Sequence, residues 1–248
     1  GHIIKFLTAR GSSTGIDWRE LTKRQLDKWG VKYNTLDLGK IDADVFVDDK
    51  GLNADVFFNS EDDLYLKEHK DTLLETFSGE IKEKICIVSE HIFNAFENNS
   101  KLIMAGNGGS YLNCLHISEE LNSKFLDGRK GLLSIVLGAE DYLLRSFSND
   151  YGYDKSLLRE LNEVGMHGDV FIGISKKGKS QNILNCFKEA KKNGLFTIFL
   201  TSKQYDQELS EIDIALKVES STPSIIQEIH IIVLNLIFIA LGKSLHSN

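Results

Sequence analysis

The sequence of 248 residues has three cysteines, one proline and no excess of basic residues. Cys86, Cys114 and Cys186 are widely spaced and form no CxxC pair, which argues against a disulfide scaffold or a zinc knuckle and fits reduced thiols in the cytoplasm. Acidic residues outnumber basic ones 36 to 29, and the net charge of -7 argues against nucleic acid or an anionic membrane surface as a partner. The 42% apolar content is that of a globular protein with a full core.

A hydrophobic run long enough to cross a membrane is also lacking. The longest apolar run, "IHIIVLNLIFIAL" at 229–241, is too short for a bilayer and contains His230 and Asn235. We therefore expect a buried core helix there and no membrane partner.

From about Lys101 onward, short β-rich runs alternate with longer helical stretches. The runs are mostly apolar without interruption, as strands covered on both faces are, and lie at 101–106, 132–138, 169–175, 196–202 and 214–219. The helical stretches lie at 110–125, 154–165 and 180–194, with a long helix from about Ser221. This order predicts an α/β fold with a doubly wound parallel sheet flanked by helices.

The first 58 residues have a different pattern, with a strand "IIKFLTAR", an amphipathic helix "WRELTKRQLDKWG" and a second strand "ADVFVDDKG". The charged stretch 59–71 is interpreted as a linker, although helical segments are expected from about residue 64 to 98. The main domain is expected to span 72–248.

Two turns between a strand and a helix have the composition of anion sites. "GNGGS" at 106–110 combines free backbone amides with the positive end of a helix dipole, and glycines let that backbone approach a ligand closely. "GISKKGKSQN" at 173–182 offers serine hydroxyls and three lysines in the same context. Since both turns follow parallel strands, they should meet at one edge of the sheet, which suggests a phosphorylated small molecule as ligand.

His116 and Glu120 lie four residues apart on the helix that follows the first turn. That spacing puts them on one helix face, where they could reach one substrate or one metal ion. A solvated pair at helical spacing is the alternative for any such pair. A carboxylate near an anion site could move a proton between adjacent carbons of a sugar phosphate.

With these residues assembled, the stretch from about 65 to 248 resembles the sedoheptulose 7-phosphate (phosphoheptose) isomerases of the sugar isomerase (SIS) superfamily. The resemblance is carried by "GNGGS" with "HISEEL", an asparagine-aspartate loop "SNDYGYD" at 148–154, "GDVFIGIS" with "GKSQN", and "IQEIH" at 226–230. It implies a SIS fold and interconversion of a ketose phosphate and an aldose phosphate through an enediol, in heptose biosynthesis for lipopolysaccharide or capsule. It also implies a homotetramer.

The resemblance further implies site residues. Glu120 matches the catalytic base, and His116, Glu120 and Gln227 match catalytic positions that hold zinc in some members, so zinc is the expected cofactor with an incomplete ligand set. The implied substrate-binding positions are Asn107, Gly108, Ser110, Asn149, Asp150, Ser175, Lys177, Ser180 and Asn235.

Several positions depart from the family pattern. Asn235 replaces a histidine that serves as second acid/base and metal ligand, and an amide neither exchanges protons near neutral pH nor binds zinc well. Asn113 stands where aspartate is usual and Ser224 where an acidic or hydroxyl residue is usual. His230 is interpreted as a packed core residue, with takeover of the missing role as the alternative.

The first 58 residues resemble the second half of a small haloacid dehalogenase-like (HAD) phosphatase domain. Thr8, Lys40, Asp48 and Asp49 fit its phosphate-binding threonine, its lysine and its magnesium-binding acidic pair. The Asp-x-Asp nucleophile motif that precedes these elements is absent from the sequence, so no phosphoenzyme can form by that route. Either the sequence begins inside a fused phosphatase domain or the segment is a remnant.

Three functions remain open. The first is an aldose-ketose isomerase acting on a heptose 7-phosphate. The second is a non-catalytic SIS module that binds a sugar phosphate or a protein, which Asn235 favours and Glu120, His116 and Gln227 oppose. The third is altered chemistry on a nucleotide-linked or bisphosphorylated sugar, which the lysine-rich turn suggests.

Overall fold

The computed structural model describes residues 5–8, 16–38, 61–123, 131–207 and 209–245. The chain divides into two compact units, Gly1–Leu64 and Tyr65–Asn248. We describe each unit separately.

In the first unit, β1 (Lys5–Thr8) pairs in parallel with β2 (Thr35–Leu38), and α1 (Arg19–Lys28) lies between them in sequence. The first strand and the helix are confirmed, whereas the strand at 35–38 was not predicted. The predicted strand "ADVFVDDKG" lies outside the described residues, as do Lys40, Asp48 and Asp49. Thr8 ends β1. Its HAD-like role stays a prediction.

The second unit contains a five-stranded, all-parallel sheet in the order β4-β3-β5-β6-β7. Helices and one 3₁₀ turn precede and connect its strands, and a long helix follows the last strand. In chain order these are α2 (Glu61–Ser78), α3 (Ile81–Glu97), β3 (Leu102–Gly106), α4 (Gly109–Asn122), β4 (Ser134–Val136), α5 (Asp141–Tyr151), a 3₁₀ turn (Tyr153–Lys155), α6 (Ser156–Val164), β5 (Val170–Ile174), α7 (Gln181–Lys192), β6 (Phe196–Ser202), β7 (Ile214–Val218) and α8 (Pro223–Leu245).

Helices cover both faces of this sheet and form two separate cores. On one face α3, α4 and α8 pack against side chains such as Met104, Ile172 and Leu200. On the other face α6 and α7 pack against Phe171 and Phe199. Strands β3 and β5 are buried at every residue, which explains their uninterrupted apolar sequences. The predicted doubly wound fold is confirmed.

Two local predictions need correction. The stretch 59–71 is helical from Glu61 and joined to α8, since the Tyr65 hydroxyl donates to Glu228 at 3.1 Å and the Thr222 hydroxyl to Glu68 at 2.6 Å. The loop expected at 148–154 is largely the last turn of α5. Leu143, Leu144 and Phe147 are half-buried at helical spacing, and the helix ends at Gly152 with φ of 84°.

The prediction that the apolar run near the C-terminus is too short to cross a membrane was also wrong. Helix α8 includes an apolar window, Pro223–Lys243, that is long enough to do so. However, 56% of that window is buried inside the protein. Its residues Ile229, Val233 and Ile237 belong to the same core as α3 and the sheet. The packing is that of a core helix.

Candidate active site

The candidate site lies where the sheet changes its direction of winding. The chain passes from β3 through α4 to β4 on one side, and from β5 through α7 to β6 on the other. Because α4 and α7 lie on opposite faces, the turns that follow β3 and β5 border a common crevice at the carboxyl ends of adjacent strands. Such crevices are where open α/β sheets bind ligands.

The glycines of the first turn are required by close approaches. A Cβ at Gly106 would lie 2.6 Å from the backbone carbon of Ser110, and Gly108 has φ of 55°. A Cβ at Gly109 would lie 2.1 Å from Oε1 of Gln227. The turn therefore leaves no room for a side chain at Gly106 or Gly109, and Ser110 is buried in the first turn of α4.

Gln227 reaches this turn from the first turns of α8. Its side-chain amide lies over Gly109, and its backbone carbonyl accepts a hydrogen bond from Nδ2 of Asn113 at 3.0 Å. A carboxylate at position 113 has no proton to donate to that carbonyl. The departure at Asn113 thus has a structural role, which is to hold α8 against α4.

An amide pair joins the two anion turns. Nδ2 of Asn107 donates to Oδ1 of Asn182 at 2.9 Å, and Nδ2 of Asn182 donates back to Oδ1 of Asn107 at 2.9 Å. Oδ1 of Asn107 also accepts from the Tyr153 hydroxyl at 2.8 Å. Asn182 is buried, so the pair is shielded from water and fixes the first turn relative to the start of α7.

In the second turn, the hydroxyl of Ser175 donates to Oγ of Ser180 at 3.0 Å. Ser175 is buried and Ser180 precedes α7, where helix amides and hydroxyls converge. Lys177 is exposed on the same turn. The structure confirms that both predicted turns stand at helix starts on one sheet edge.

A cavity of about 210 Å³ opens beside the first turn. It is bordered by the turn itself, by the segment after β4 and by the 3₁₀ turn, with Tyr111 and Tyr153 among the lining residues. Behind it, the carboxylate of Glu160 accepts the backbone N–H of Gly138 at 2.7 Å. Burial raises the pKa of the Glu160 carboxyl, and burial followed by the Glu160 charge raises the pKa of Tyr111.

His116 and Glu120 lie farther along α4. His116 is exposed and Glu120 half-buried. With a rise of about 1.5 Å per residue, His116 lies roughly 10 Å and Glu120 roughly 16 Å from Gly109 along the helix axis. The backbone carbonyl of Gln227 contacts α4 at Asn113, which precedes His116 by about one helical turn.

The zinc ligands implied by the resemblance do not form a complete set here. Among the described residues, no group of three or more His, Cys, Asp or Glu side chains is placed to hold a metal ion. His116 and Glu120 are good ligand types, but the amides of Gln227 and Asn235 are weak ones. The ligand set is therefore incomplete within one chain, zinc stays a prediction, and we derive no chemistry through it.

Three further predicted positions are not among the residues that line the cavity. Asn149 and Asp150 are exposed at the end of α5, where Nδ2 of Asn149 donates to Oδ1 of Asp150 at 3.1 Å. Asn235 is half-buried on α8, two turns beyond Gln227. The structure thus assembles the two turns with Gln227. His116 and Glu120 follow on α4, Asn235 follows on α8, and the Asn149–Asp150 pair is exposed at the end of α5.

Sequence reasoning missed three residues that complete the crevice, namely Asn182, Tyr153 and Tyr111. Asn182 was quoted within "GKSQN" but not assigned a role. Its position in the first turn of a helix, two residues after Ser180, was a usable signal. The sequence gives no such signal for Tyr153 and Tyr111, because their contact with the turn depends on tertiary packing.

His230 is buried in α8, as predicted. Its Nε2 is 2.9 Å from the carbonyl oxygen of Thr201, and its Nδ1 has no hydrogen-bond partner among the described residues. Burial lowers the pKa of His230 to about 4, so the ring is neutral at physiological pH. A buried, neutral ring that anchors α8 to β6 agrees with the interpretation of His230 as a packed core residue.

Comparison with known proteins adds independent findings. A family model described as SIS domain matches residues 65–202, beginning at the boundary between the two units. A phosphoheptose isomerase from Sulfurimonas denitrificans is 38% identical over 167 residues, covering 63% of this chain and 85% of the relative. One from Helicobacter pylori is 34% identical over 182 residues, covering 71% and 93%.

A solved structure shows the same fold. The phosphoheptose isomerase from Neisseria gonorrhoeae aligns with a TM-score of 0.67 at 22% identity, covering 75% of this chain and 99% of that one.

Proposed function

Because the chain belongs to the SIS domain family, and its curated relatives are phosphoheptose isomerases, we propose that it converts sedoheptulose 7-phosphate to a manno-heptose 7-phosphate. The observation that carries this proposal is the joining of two anion turns by the Asn107–Asn182 pair at the switch point of the sheet. Ser110, Ser175 and Ser180 lie on these turns and bind the 7-phosphate. The product serves lipopolysaccharide or capsule synthesis in the cytoplasm.

The reaction needs one group that moves a proton between C1 and C2. Glu120 takes the C1 proton of the open-chain ketose to give an enediolate, the proton of the O1 hydroxyl passes directly to O2, and Glu120 returns its proton at C2 to leave the C1 aldehyde. Gln227 donates hydrogen bonds to the sugar oxygens from its place over Gly109. Asn235 can donate or accept a hydrogen bond but cannot exchange the second proton, which passes between O1 and O2.

The distance between the turns and Glu120 supports sharing of the site between chains. An extended heptose phosphate spans roughly 10 Å from phosphorus to C1, on bond lengths near 1.5 Å. Glu120 lies roughly 16 Å from Gly109 along α4. We therefore infer that the chain works as a homotetramer, in which Glu120 and His116 of one subunit face the turns of another.

The exposed apolar side chains of the second unit support this assembly. Leu236 and Ile239 on α8 are 37% and 44% exposed, and Leu112 on α4 is 61% exposed. Large apolar groups on the two helices that carry the site residues are typical of a subunit interface.

The alternative is a non-catalytic module that binds a sugar phosphate or a protein partner. Asn235 favours it, since the second acid/base of the family is missing. The same turns bind the sugar phosphate in both cases, so binding alone does not separate the two functions.

The first test is turnover of sedoheptulose 7-phosphate by the wild type and by Glu120→Gln, measured by product analysis with and without added zinc. We expect the variant to lose at least about a thousandfold in kcat and to keep its Kd for the sugar phosphate, because only the proton transfer is removed. Binding without turnover in the wild type would favour the non-catalytic module. Absence of both would remove the sugar phosphate assignment.

A further inference from the structure

Helix α2 is attached by polar contacts to the segment from which α8 begins. The hydroxyl of Thr222 donates to the Glu68 carboxylate at 2.6 Å. The backbone N–H of Glu219 donates to the hydroxyl of Thr76, a buried residue, at 3.1 Å. Because these two contacts lie about two helical turns apart on α2, they hold the helix alongside the start of α8 and give its side chains defined positions there.

Two further side chains of α2 converge on one carboxylate of α8. The hydroxyl of Tyr65 donates to Oε1 of Glu228 at 3.1 Å. The Nε2 atom of His69 is shielded from water and lies 2.9 Å from Oε2 of the same carboxylate. Tyr65 and His69 are one turn apart on α2, with ring centroids separated by 6.4 Å. Each oxygen of Glu228 therefore has its own contact on α2.

Glu228 directly follows Gln227, and successive residues of a helix point about 100° apart. Helix α4 holds the carbonyl of Gln227 through Asn113 at 3.0 Å, and α2 holds the side chain of Glu228. The neighbouring residues Ile226 and Ile229 are buried in the core, but apolar contact is not directional. The two polar attachments at adjacent residues therefore specify the rotation of α8 about its own axis.

This rotation decides where the side chain of Gln227 lies. The end of a helical side chain is roughly 6 Å from the helix axis, so a rotation of about 20° moves it by roughly 2 Å. The amide of Gln227 occupies the space that a Cβ on Gly109 would take, so it is packed directly on the first anion turn. A displacement of that size is enough to break a hydrogen bond to a ligand at this turn.

We propose that Glu228, held by Tyr65 and His69, is a positioning residue that keeps the Gln227 amide in place over the first anion turn. The proposal rests on the proposed function, because it acts through the contact of Gln227 with the sugar. The two turns bind the phosphate without Glu228, whereas Gln227 contacts the sugar oxygens. Loss of Glu228 should therefore lower kcat more than it raises KM.

The test is a double-mutant cycle on the full chain, with sedoheptulose 7-phosphate as substrate. Its four members are the wild type, Glu228→Ala, Gln227→Ala and the double variant. We expect Glu228→Ala to lower kcat about tenfold and to leave KM within about twofold of the wild type. In the Gln227→Ala background the same substitution should change kcat less than about twofold, because the group that it positions is already absent.

Two single variants serve as controls, and the thermal midpoint is measured for every protein. Glu228→Gln keeps an oxygen that accepts the Tyr65 hydroxyl, so its kcat should lie between those of Glu228→Ala and the wild type. Glu80→Gln removes a carboxylate that pairs with Lys84 at 3.3 Å at the start of α3, and it should keep the wild-type kcat.

Three outcomes would contradict the positioning role while the isomerase proposal stands. They are a wild-type kcat in Glu228→Ala, an equal loss of kcat in both backgrounds of the cycle, and the same loss in Glu80→Gln. An equal loss in both backgrounds would show that Glu228 supports the fold without acting through Gln227. A wild type that does not turn over the substrate would overturn both proposals.

Discussion

At the scale of single residues, the candidate site depends on a glycine that a side chain would displace. Gly109 lies under the amide of Gln227, and a Cβ there would come within 2.2 Å of either amide heteroatom. The backbone of Gly109 is not in the left-handed region, so alanine fits the helix and only Gln227 must move. A side chain at position 109 should therefore impair function by displacing Gln227, and should not strain the backbone.

We predict that Gly109→Ala lowers kcat/KM for the sugar phosphate by at least about tenfold, because Gln227 loses its place at the turn. The thermal midpoint should change by only a few degrees. Gly79→Ala, which has open space around its Cβ, is the matched control and should retain full activity. The measurements are steady-state kinetics and thermal unfolding of both variants. A kcat/KM equal to that of the wild type in Gly109→Ala would contradict the role of Gln227.

A second residue-scale prediction concerns His230 and pH. The folded protein keeps this ring neutral down to about pH 4, whereas the unfolded chain protonates it below about 6.5. The unfolded state thus binds more protons between these values, and stability falls as pH falls from 6.5 to 4. The contribution is on the order of 3 kcal/mol.

His230→Gln removes this titration while keeping an amide donor for the carbonyl of Thr201. We expect a flatter dependence of the unfolding free energy on pH between 4 and 6.5 than in the wild type, measured by urea denaturation. His116→Gln changes an exposed histidine and should leave the wild-type slope intact. Parallel curves for His230→Gln and the wild type would show that the ring is not buried in its neutral form.

At the scale of elements, the function depends on the coupling of two strand-helix units across the sheet. The turns after β3 and β5 belong to opposite layers, and the amide pair Asn107–Asn182 connects them. We predict that Asn182→Ala costs about 1–3 kcal/mol in stability and raises KM about tenfold with a smaller change in kcat, because phosphate binding loses its fixed geometry.

The control for this prediction is Asn193→Ala at the other end of α7. Among the described residues, the Asn193 side-chain amide makes a single hydrogen bond, to Oδ1 of Asn162 at 3.3 Å. This control should leave KM within about twofold of the wild type. If Asn182→Ala also leaves KM unchanged, the two turns act independently.

At the scale of the whole molecule, the separation of Glu120 from the turns predicts sites shared between subunits. A mixture of Glu120→Gln with Ser175→Ala/Ser180→Ala, co-refolded or co-expressed, should recover about one quarter of wild-type turnover, because that fraction of sites combines an intact turn with an intact Glu120. Each variant alone should be inactive. Lack of recovery in a mixture with proven mixed subunits, by mass, would place the whole site in one chain.

The amino-acid sequence was sufficient for everything that depends on local pattern. Buried parallel strands are continuously apolar and amphipathic helices repeat at 3.6 residues, so β3, β5, α4 and α7 were predicted near their observed bounds. The two anion turns followed from glycine and serine placed between a strand and a helix. The residues of these turns were therefore identified without any knowledge of packing.

Other features depend on which elements become neighbours, and local pattern does not encode that. The helical state of 141–151 depends on burial of Leu144 against the core, and the pairing of Asn107 with Asn182 depends on strands β3 and β5 being adjacent. Gln227 reaches Gly109 because α8 packs on α4, although 118 residues separate the two positions in the chain. The grouping of Gln227 with His116 and Glu120 was implied by the family resemblance and stays a prediction, although the contact between Asn113 and the Gln227 carbonyl shows that α8 meets α4 near these residues.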